Sequence, residues 1–224
     1  MDTHAAIQPV KPRLRGRLHQ IAFFVVVPAG VALVAAAPTT RSRVATLVYA
    51  LSLAGLYGTS AAYHRIPWSQ GARRWMKRMD HSMIFLLIAG TYTPFALLVL
   101  DPPWSWAILS LVWAGAIAGI VLKWIRIDGF VAVGAALYIT LGWLAVVTMP
   151  QILRGLEGWT AALLLLGGIL YTTGAIVLAR KRPDPAPSTF GYHEIFHSFV
   201  VGGSACHYAV VLLVVLSIRS TLGG

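Results

Sequence analysis

The chain has 224 residues, of which 58% are hydrophobic and only 11% are charged. A soluble domain of this length carries about 25% charged residues, so the composition excludes a soluble globular protein and predicts an integral membrane protein. The net charge of +11 would suggest nucleic acid as a partner for a soluble protein, but most basic residues here lie in short segments between apolar runs, so we expect no nucleic-acid partner.

The apolar runs have the lengths that a bilayer requires. A hydrocarbon core about 30 Å thick needs about 20 mostly apolar residues in a helix. Pro102 and Pro103 break the chain between the third run and the fourth, and nothing stronger than Gly134 and Gly142 interrupts the fifth. The predicted spans are residues 20–37, 44–63, 82–100, 104–123, 130–149, 158–179 and 194–218. The sequence therefore predicts an all-α integral membrane protein, a bundle of seven transmembrane helices.

The positions of the lysines and arginines predict the orientation of this bundle. Fourteen of the 18 lie before the first span or in the second, fourth and sixth loops, which share one side of the membrane. The other four are Arg41, Arg43, Arg154 and Arg219. By the positive-inside rule the amino terminus is cytoplasmic and the carboxyl terminus lies outside. We expect a multi-pass protein of the cell inner (plasma) membrane.

This topology divides the chain into three parts. Residues 1–19 form a basic cytoplasmic segment, residues 20–218 a single seven-helix transmembrane domain, and residues 219–224 a short tail. The basic segment also resembles the flank of a signal peptide, but six further spans favour a retained first helix. We expect its His4 and His19 to be solvated and the segment to contact anionic lipid. The sequence leaves the oligomeric state open.

Ionisable side chains within the predicted spans gather at one depth. His64 ends the second span, Asp80 opens the third, and His193 and His197 lie in the first turns of the seventh. All four positions are at the cytoplasmic end of their span. Charged and titratable groups are costly in a membrane, so each is a functional candidate. The expected place of Asp80 at a helix amino terminus favours its charged form.

The pattern His193-Glu194-x-x-His197 matches the H-E-x-x-H of zinc metallopeptidases. Glu194 is the last acidic residue of the chain, so no later glutamate can complete a thermolysin-like site. The metzincin extension fails at Val200 and Gly203. These departures argue against a protease, and we expect Glu194 to be an exposed or pore-facing carboxylate.

Two further histidines and an Asp-Gly pair offer no better completion of that motif. Asp128-Gly129 precedes the motif, whereas an intramembrane metalloprotease would need a later Asp-Gly. His207 is ten residues beyond His197, roughly 15 Å along a helix, so we expect it to hydrogen bond to a neighbouring helix. His81 points to a different face from Asp80, and we interpret it as a packing or interface residue.

Two imidazoles at positions i and i+4 share a helix face and suit Zn²⁺, and a catalytic zinc needs a third protein ligand. His64 has the right depth to be that ligand, with Ser60 one turn before it on the same face. Asp80 is then a candidate general base or a partner for a water on the zinc. The alternative from the residues alone is an interhelical polar cluster that holds no metal.

Three segments in order, "SAAYH" (60–64), "MDHSMIFLLIAGTYTP" (79–94) and "HEIFHSFVVGGSACH" (193–207), resemble the signature segments of the haemolysin III proteins. These are the bacterial branch of the progestin and adiponectin receptor superfamily, and the resemblance covers residues 45–215. It implies a seven-helix bundle with zinc near the cytoplasmic leaflet, held by His64, His193 and His197. It also places Ser60 and Asp80 beside the metal, and it extends to the alkaline ceramidases, which are zinc amidases.

Two functions follow as hypotheses. The first is a zinc-dependent hydrolase of a lipid amide or ester, similar to a ceramidase, in which Asp80 takes the proton and Ser60 orients the water or the substrate carbonyl. A membrane lipid is then the substrate and enters laterally. The second is a non-enzymatic lipid-sensing receptor, membrane-homeostasis regulator or channel/cytolysin with structural zinc. The sequence does not decide whether the chain is an enzyme.

Overall fold

The computed structural model describes residues 12–127 and 131–223, and the elements within these ranges are helices. They are α1 (Arg17–Ala36), α2 (Thr40–Arg65), α3 (Gln70–Leu98), α4 (Trp104–Ile125), α5 (Val131–Trp143), a 3₁₀-helix (Leu144–Thr148), α6 (Met149–Gly155), α7 (Gly158–Arg180) and α8 (Tyr192–Gly223). Seven stretches are long and apolar enough to cross a membrane, and the fifth of them runs from α5 through the 3₁₀-helix into α6. The predicted fold class is confirmed, whereas the side of the membrane that each terminus faces stays a prediction.

The helices pack with their neighbours in the chain, and the last helix closes the bundle. The largest contacts join α2 to α3, α7 to α8 and α1 to α2, and α8 also contacts α1, α2 and α3. We call one end of the bundle the basic end. The helices α1, α3 and α8 begin at this end, and α2, α4 and α7 finish there. The name refers to the basic residues in the first or last turns of these helices, which include Arg17, Arg65, Lys123 and Arg180.

The predicted start of the third span at residue 82 misses the first twelve residues of α3, which begins at Gln70. Ser69 caps this helix by accepting a hydrogen bond from the Ala72 N–H. Hydropathy locates the apolar part of a helix but not a polar first part made of good helix formers. Asp80 is therefore the eleventh residue of α3. The prediction that the helix amino terminus stabilises the charged form of Asp80 was wrong, because that effect ends within the first turn.

The fifth span is broken at a place that its glycines do not explain. The α-helical hydrogen bonding stops at Trp143 and resumes at Met149 after a 3₁₀ turn. Pro150 has no N–H to donate, and in a regular α-helix its ring would clash with the backbone carbonyl four residues earlier. The Tyr92 hydroxyl fills the gap, since it donates to the Gly142 carbonyl (3.0 Å) and accepts the Ala145 N–H (2.6 Å).

Hydroxyl groups inside the bundle find partners on neighbouring helices. Tyr57 on α2 donates to the Ser204 hydroxyl on α8 (2.7 Å), and Tyr171 on α7 lies 2.8 Å from the same oxygen. Tyr208 donates to the Ala29 carbonyl of α1 (2.8 Å). Such bonds satisfy polar groups that have no water to contact. They connect α8 to α1, α2 and α7.

Glycines mark the closest helix contacts, as expected for helices that pack in lipid. A Cβ at Gly119 on α4 would lie 2.2 Å from the ring of Phe85 on α3, and Phe85 is fully buried. A Cβ at Gly167 on α7 would lie 2.4 Å from the His207 ring on α8. Gly168 differs, because a Cβ there meets no atom within 4 Å.

We expect Gly119→Ala to destabilise the protein by about 1–3 kcal/mol, because the added methyl group overlaps a buried ring. The matched control is Gly168→Ala, which adds the same methyl group into open space and should leave the protein unchanged or slightly more stable. Thermal unfolding of the detergent-solubilised variants measures both effects. Equal unfolding temperatures for the two variants would contradict the described contact between α3 and α4.

Candidate metal centre

Three histidines from two helices meet at the basic end of the bundle. His64 is the penultimate residue of α2, and His193 and His197 lie in the first two turns of α8. One ring nitrogen from each lies within 4.8 Å of the other two, and His64 Nε2 and His193 Nε2 are 3.1 Å apart. His64 and His197 are buried. We call these three residues the histidine cluster. The fold thus brings together all three histidines that were predicted as metal ligands.

The geometry of the histidine cluster fits a metal ion. Zn–N bonds of about 2.0–2.1 Å in a tetrahedral site imply nitrogens roughly 3.3 Å apart. The nitrogens of His64 and His193 already have about this spacing at 3.1 Å, and a nitrogen of His197 lies within 4.8 Å of both. His197 Nδ1 is buried and has no hydrogen-bond partner among the described residues, so an ion beside it would satisfy a polar group that is costly to leave unpaired. The cluster could form a metal site, and three imidazoles suit zinc without specifying it.

Asp80 and Ser60 lie beside the histidine cluster, as the sequence predicts. Asp80 Oδ2 is 4.0 Å from His64 Nε2, and the Asp80 side chain is only 15% exposed. Ser60 is buried one turn before His64 on α2 and is a neighbour of the Asp80 carboxylate. The site therefore combines three imidazoles with a carboxylate and a hydroxyl. The chemical roles of Asp80 and Ser60 stay predictions.

His81 and His207 stay outside the cluster. His81 Nδ1 donates to the Lys77 carbonyl one turn earlier on α3 (2.8 Å) and lies 3.9 Å from Asp80 Oδ2. His207 Nε2 donates to the Leu164 carbonyl of α7 (3.1 Å), which confirms the expected bond to a neighbouring helix. Neither histidine belongs to the group of donors that could hold an ion.

Glu194 is buried, so the prediction of an exposed or pore-facing carboxylate was wrong. Its side chain is 1% exposed, and Oε1 accepts a hydrogen bond from Arg15 Nε at 2.6 Å. Its Oε2 accepts the backbone N–H of Gly191 at 2.9 Å. Gly191 directly precedes α8 and Glu194 is the third residue of this helix, so the carboxylate closes one half of a capping box. The glutamate of the H-E-x-x-H pattern therefore fixes the start of α8.

His19 is also buried, so its expected place in a solvated segment was wrong. It is 3% exposed, its ring stacks on His197 with centroids 3.6 Å apart, and its Nδ1 lies 2.9 Å from Ser60 Oγ. One feature of the sequence could have predicted this burial: His19 lies immediately before the first apolar run, at the depth predicted for the other histidines. His4 and Asp128-Gly129 lie outside the described residues.

We expect Glu194→Gln to lower stability by about 1–3 kcal/mol while the metal stays bound, because the change removes a largely buried ion pair and leaves the histidines in place. Arg15→Gln should have a similar effect, and the double variant should be little worse than either single one. Thermal unfolding and elemental analysis of the purified variants measure stability and metal content. Loss of metal at an unchanged unfolding temperature would contradict the capping role of Glu194.

Comparison with known proteins assigns the chain to a family. Residues 7–208 match the family described as Haemolysin-III related. The chain is 40% identical to Hemolysin-3 of Bacillus cereus over 183 residues, which cover 81% of this chain and 80% of the relative. It is 34% identical to the Hemolysin-3 homolog of Bacillus subtilis (strain 168) over 197 residues, covering 87% of this chain and 89% of the relative. The chain is thus a multi-pass membrane protein that belongs to the haemolysin-III related family.

Proposed function

We propose that the chain is a zinc-dependent hydrolase that cleaves an amide or ester bond of a membrane lipid. One observation carries this proposal: three imidazole nitrogens lie within 4.8 Å of one another, with a carboxylate oxygen 4.0 Å from one of them. This combination of donors and an adjacent acid–base group is typical of hydrolytic metal sites. A purely structural metal would not require the adjacent carboxylate.

The histidine cluster would hold the ion through His64, His193 and His197. Bound zinc supplies a Lewis acid that polarises a carbonyl group and activates water. The two ligands from α8 are kept in place by the capped start of that helix, where Glu194 binds the Gly191 N–H. His64 is held near the end of α2, where the Trp68 indole donates to the Ala62 carbonyl at 2.9 Å and folds the chain back on the helix.

Asp80 is the proposed general base. Its Oδ2 takes up a proton from the attacking water and returns it to the leaving amine or alcohol. The distance of 4.0 Å to His64 Nε2 leaves Asp80 beside the histidine cluster without a direct hydrogen bond to that atom. Ser60, which is in reach of Asp80, orients the carboxylate. As a general base, Asp80 is not needed to hold the metal.

The position of the site in the bundle favours a lipid substrate. Apolar side chains cover the outer faces of the spans, with exposed examples such as Phe24, Leu51 and Ile117. The histidine cluster lies within the last or first two turns of its helices, which corresponds to the boundary between headgroups and hydrocarbon. The amide and ester linkages of membrane lipids lie at this boundary. With the basic end in the cytoplasm, the substrate comes from the inner leaflet of the plasma membrane, and the exposed arginines there contact anionic headgroups.

We expect purified protein to contain about one zinc ion per chain, and His64→Ala and His197→Ala each to reduce this content at least about tenfold, because each change removes a ligand. The matched control is His207→Ala, which removes a buried histidine from α8 far from the cluster. Elemental analysis of the folded fractions measures the zinc. Zinc retained in both cluster variants would refute the site.

We expect Asp80→Asn to lower the rate of lipid hydrolysis about 100-fold or more while zinc stays bound, because the asparagine amide cannot take up the proton from water. The assay uses the wild-type protein against a panel that includes a ceramide, a phospholipid and other lipid esters and amides. Joint loss of zinc and function in Asp80→Asn would instead make Asp80 a direct ligand of a structural metal. Zinc-loaded wild-type protein that cleaves no member of the panel would favour the receptor, regulator or channel alternative.

A further inference from the structure

We infer that His19 is a positioning residue of the metal centre, which fixes the ring plane of His197 and the direction of the Ser60 hydroxyl. Its effect on His197 concerns metal binding and is independent of any enzymatic activity. Its effect on Ser60 reaches Asp80 and rests on the proposed hydrolase function.

The segment before α1 docks on the loop before α8 and so brings His19 into the site. The backbone N–H groups of Arg13 and Leu14 donate to the carbonyls of Ser188 (3.0 Å) and Thr189 (3.2 Å). Arg15 adds the ion pair with Glu194. The first turn of α1 is therefore attached to the same segment that carries the α8 ligands.

Gly16 allows α1 to begin directly against His64. Its φ of 79° lies in the left-handed region that favours glycine, and a Cβ there would approach His64 Cβ to 2.6 Å. The chain thus turns from the docked segment into α1 in contact with one histidine of the cluster. His19 follows three residues later, and its side chain lies between Ser60 and His197.

The contact with His197 is a parallel stack that excludes His19 as a second ligand of the same ion. The two rings are inclined by only 10° with centroids 3.6 Å apart. A metal ion binds an imidazole nitrogen in the plane of the ring, and two parallel planes at this spacing cannot both contain one ion. The His193 ring is inclined to His197 by 61° and the His64 ring by 58°, so these rings can converge with it on one ion. The stack instead restricts rotation of His197.

The contact with Ser60 has a defined direction. Ser60 has one hydroxyl proton, and Asp80 can only accept when it is the carboxylate that the proposed general-base role requires. If Ser60 donates to Asp80, its oxygen must accept the proton on His19 Nδ1, which lies 2.9 Å away. We therefore extend the polar chain from His19 through Ser60 to Asp80, with the 2.9 Å contact between His19 and Ser60 as its observed part. In this chain the Ser60 proton serves the carboxylate, so it does not point at a substrate carbonyl.

Two substitutions separate the stack from the hydrogen bond. His19→Phe keeps an aromatic ring against His197 but removes the donor to Ser60. His19→Asn keeps an amide donor near the place of Nδ1 but removes the ring. His207→Phe and His207→Asn are the matched controls, since His207 is also a buried histidine with one interhelical hydrogen bond.

The readout is Co²⁺ titration of apoprotein in detergent, followed by the visible absorption of the bound ion, with lipid hydrolysis measured on the zinc form. We expect His19→Asn to weaken Co²⁺ binding about 10-fold or more and to alter the spectrum, because His197 is released. His19→Phe should bind Co²⁺ within about threefold of wild type but lower kcat by about 10–100-fold. Thermal unfolding confirms that each variant is folded, and His19→Gln replaces His19→Asn if the latter is not.

Wild-type affinity and spectrum in both His19 variants would overturn the inference, and so would equal changes in the His207 controls. If no lipid is cleaved even by the wild type, the hydrolase proposal fails, yet the Co²⁺ data still decide whether His19 positions His197. If hydrolysis is observed and His19→Phe has the wild-type kcat, the chain to Asp80 is refuted while the hydrolase proposal stands.

Discussion

The ion pair between Arg15 and Glu194 is the interaction on which the basic end of the bundle depends. It joins the segment before the first helix to the first turn of the last one, 179 residues later in the chain. The same carboxylate accepts the Gly191 N–H and so fixes where α8 begins. His193 and His197 lie on either side of Glu194 in these turns, so this side chain stabilises the start of the helix that carries two candidate ligands. When a charge pair is largely withdrawn from water, loss of one partner leaves the other charge unpaired and destabilises the protein.

The scarcity of polar groups in the bundle explains why the remaining ones are connected. A buried imidazole, hydroxyl or carboxylate needs a partner within the protein, since lipid offers none. At the basic end, His19 contacts Ser60 and His64 contacts His193, whereas His197 Nδ1 has no hydrogen-bond partner among the described residues. Farther along the helices, Tyr57, Tyr171 and Tyr208 bond across helices. The first group is a candidate for chemistry because it gathers several nitrogen donors around one point.

The H-E-x-x-H pattern has a different meaning here from its meaning in soluble metallopeptidases. Its two histidines keep the shared helix face that suits a metal, because the spacing of four residues fixes it. Its glutamate lies one residue beyond the first histidine and points elsewhere, toward the docked segment and the helix cap. The third histidine comes from α2, 129 residues before His193. A local motif therefore identifies two ligands but not the acid–base group.

The sequence by itself determined the properties that depend on local composition. Long apolar runs specify seven spans, because a helix must cover the full hydrocarbon thickness, and the common depth of His64, Asp80, His193 and His197 follows from the order of those spans. The start of α3 at Gln70 was missed because hydropathy does not report polar helical turns. The break after Trp143 was missed although Pro150 is a signal for it, and only the structure shows that the Tyr92 hydroxyl bonds the backbone groups at the break. Only the tertiary structure decided that His19 stacks on His197 and that Arg15 pairs with Glu194. Such contacts depend on the rotation and axial register of helices that are distant in the chain, and the apolar pattern of each helix leaves both undetermined.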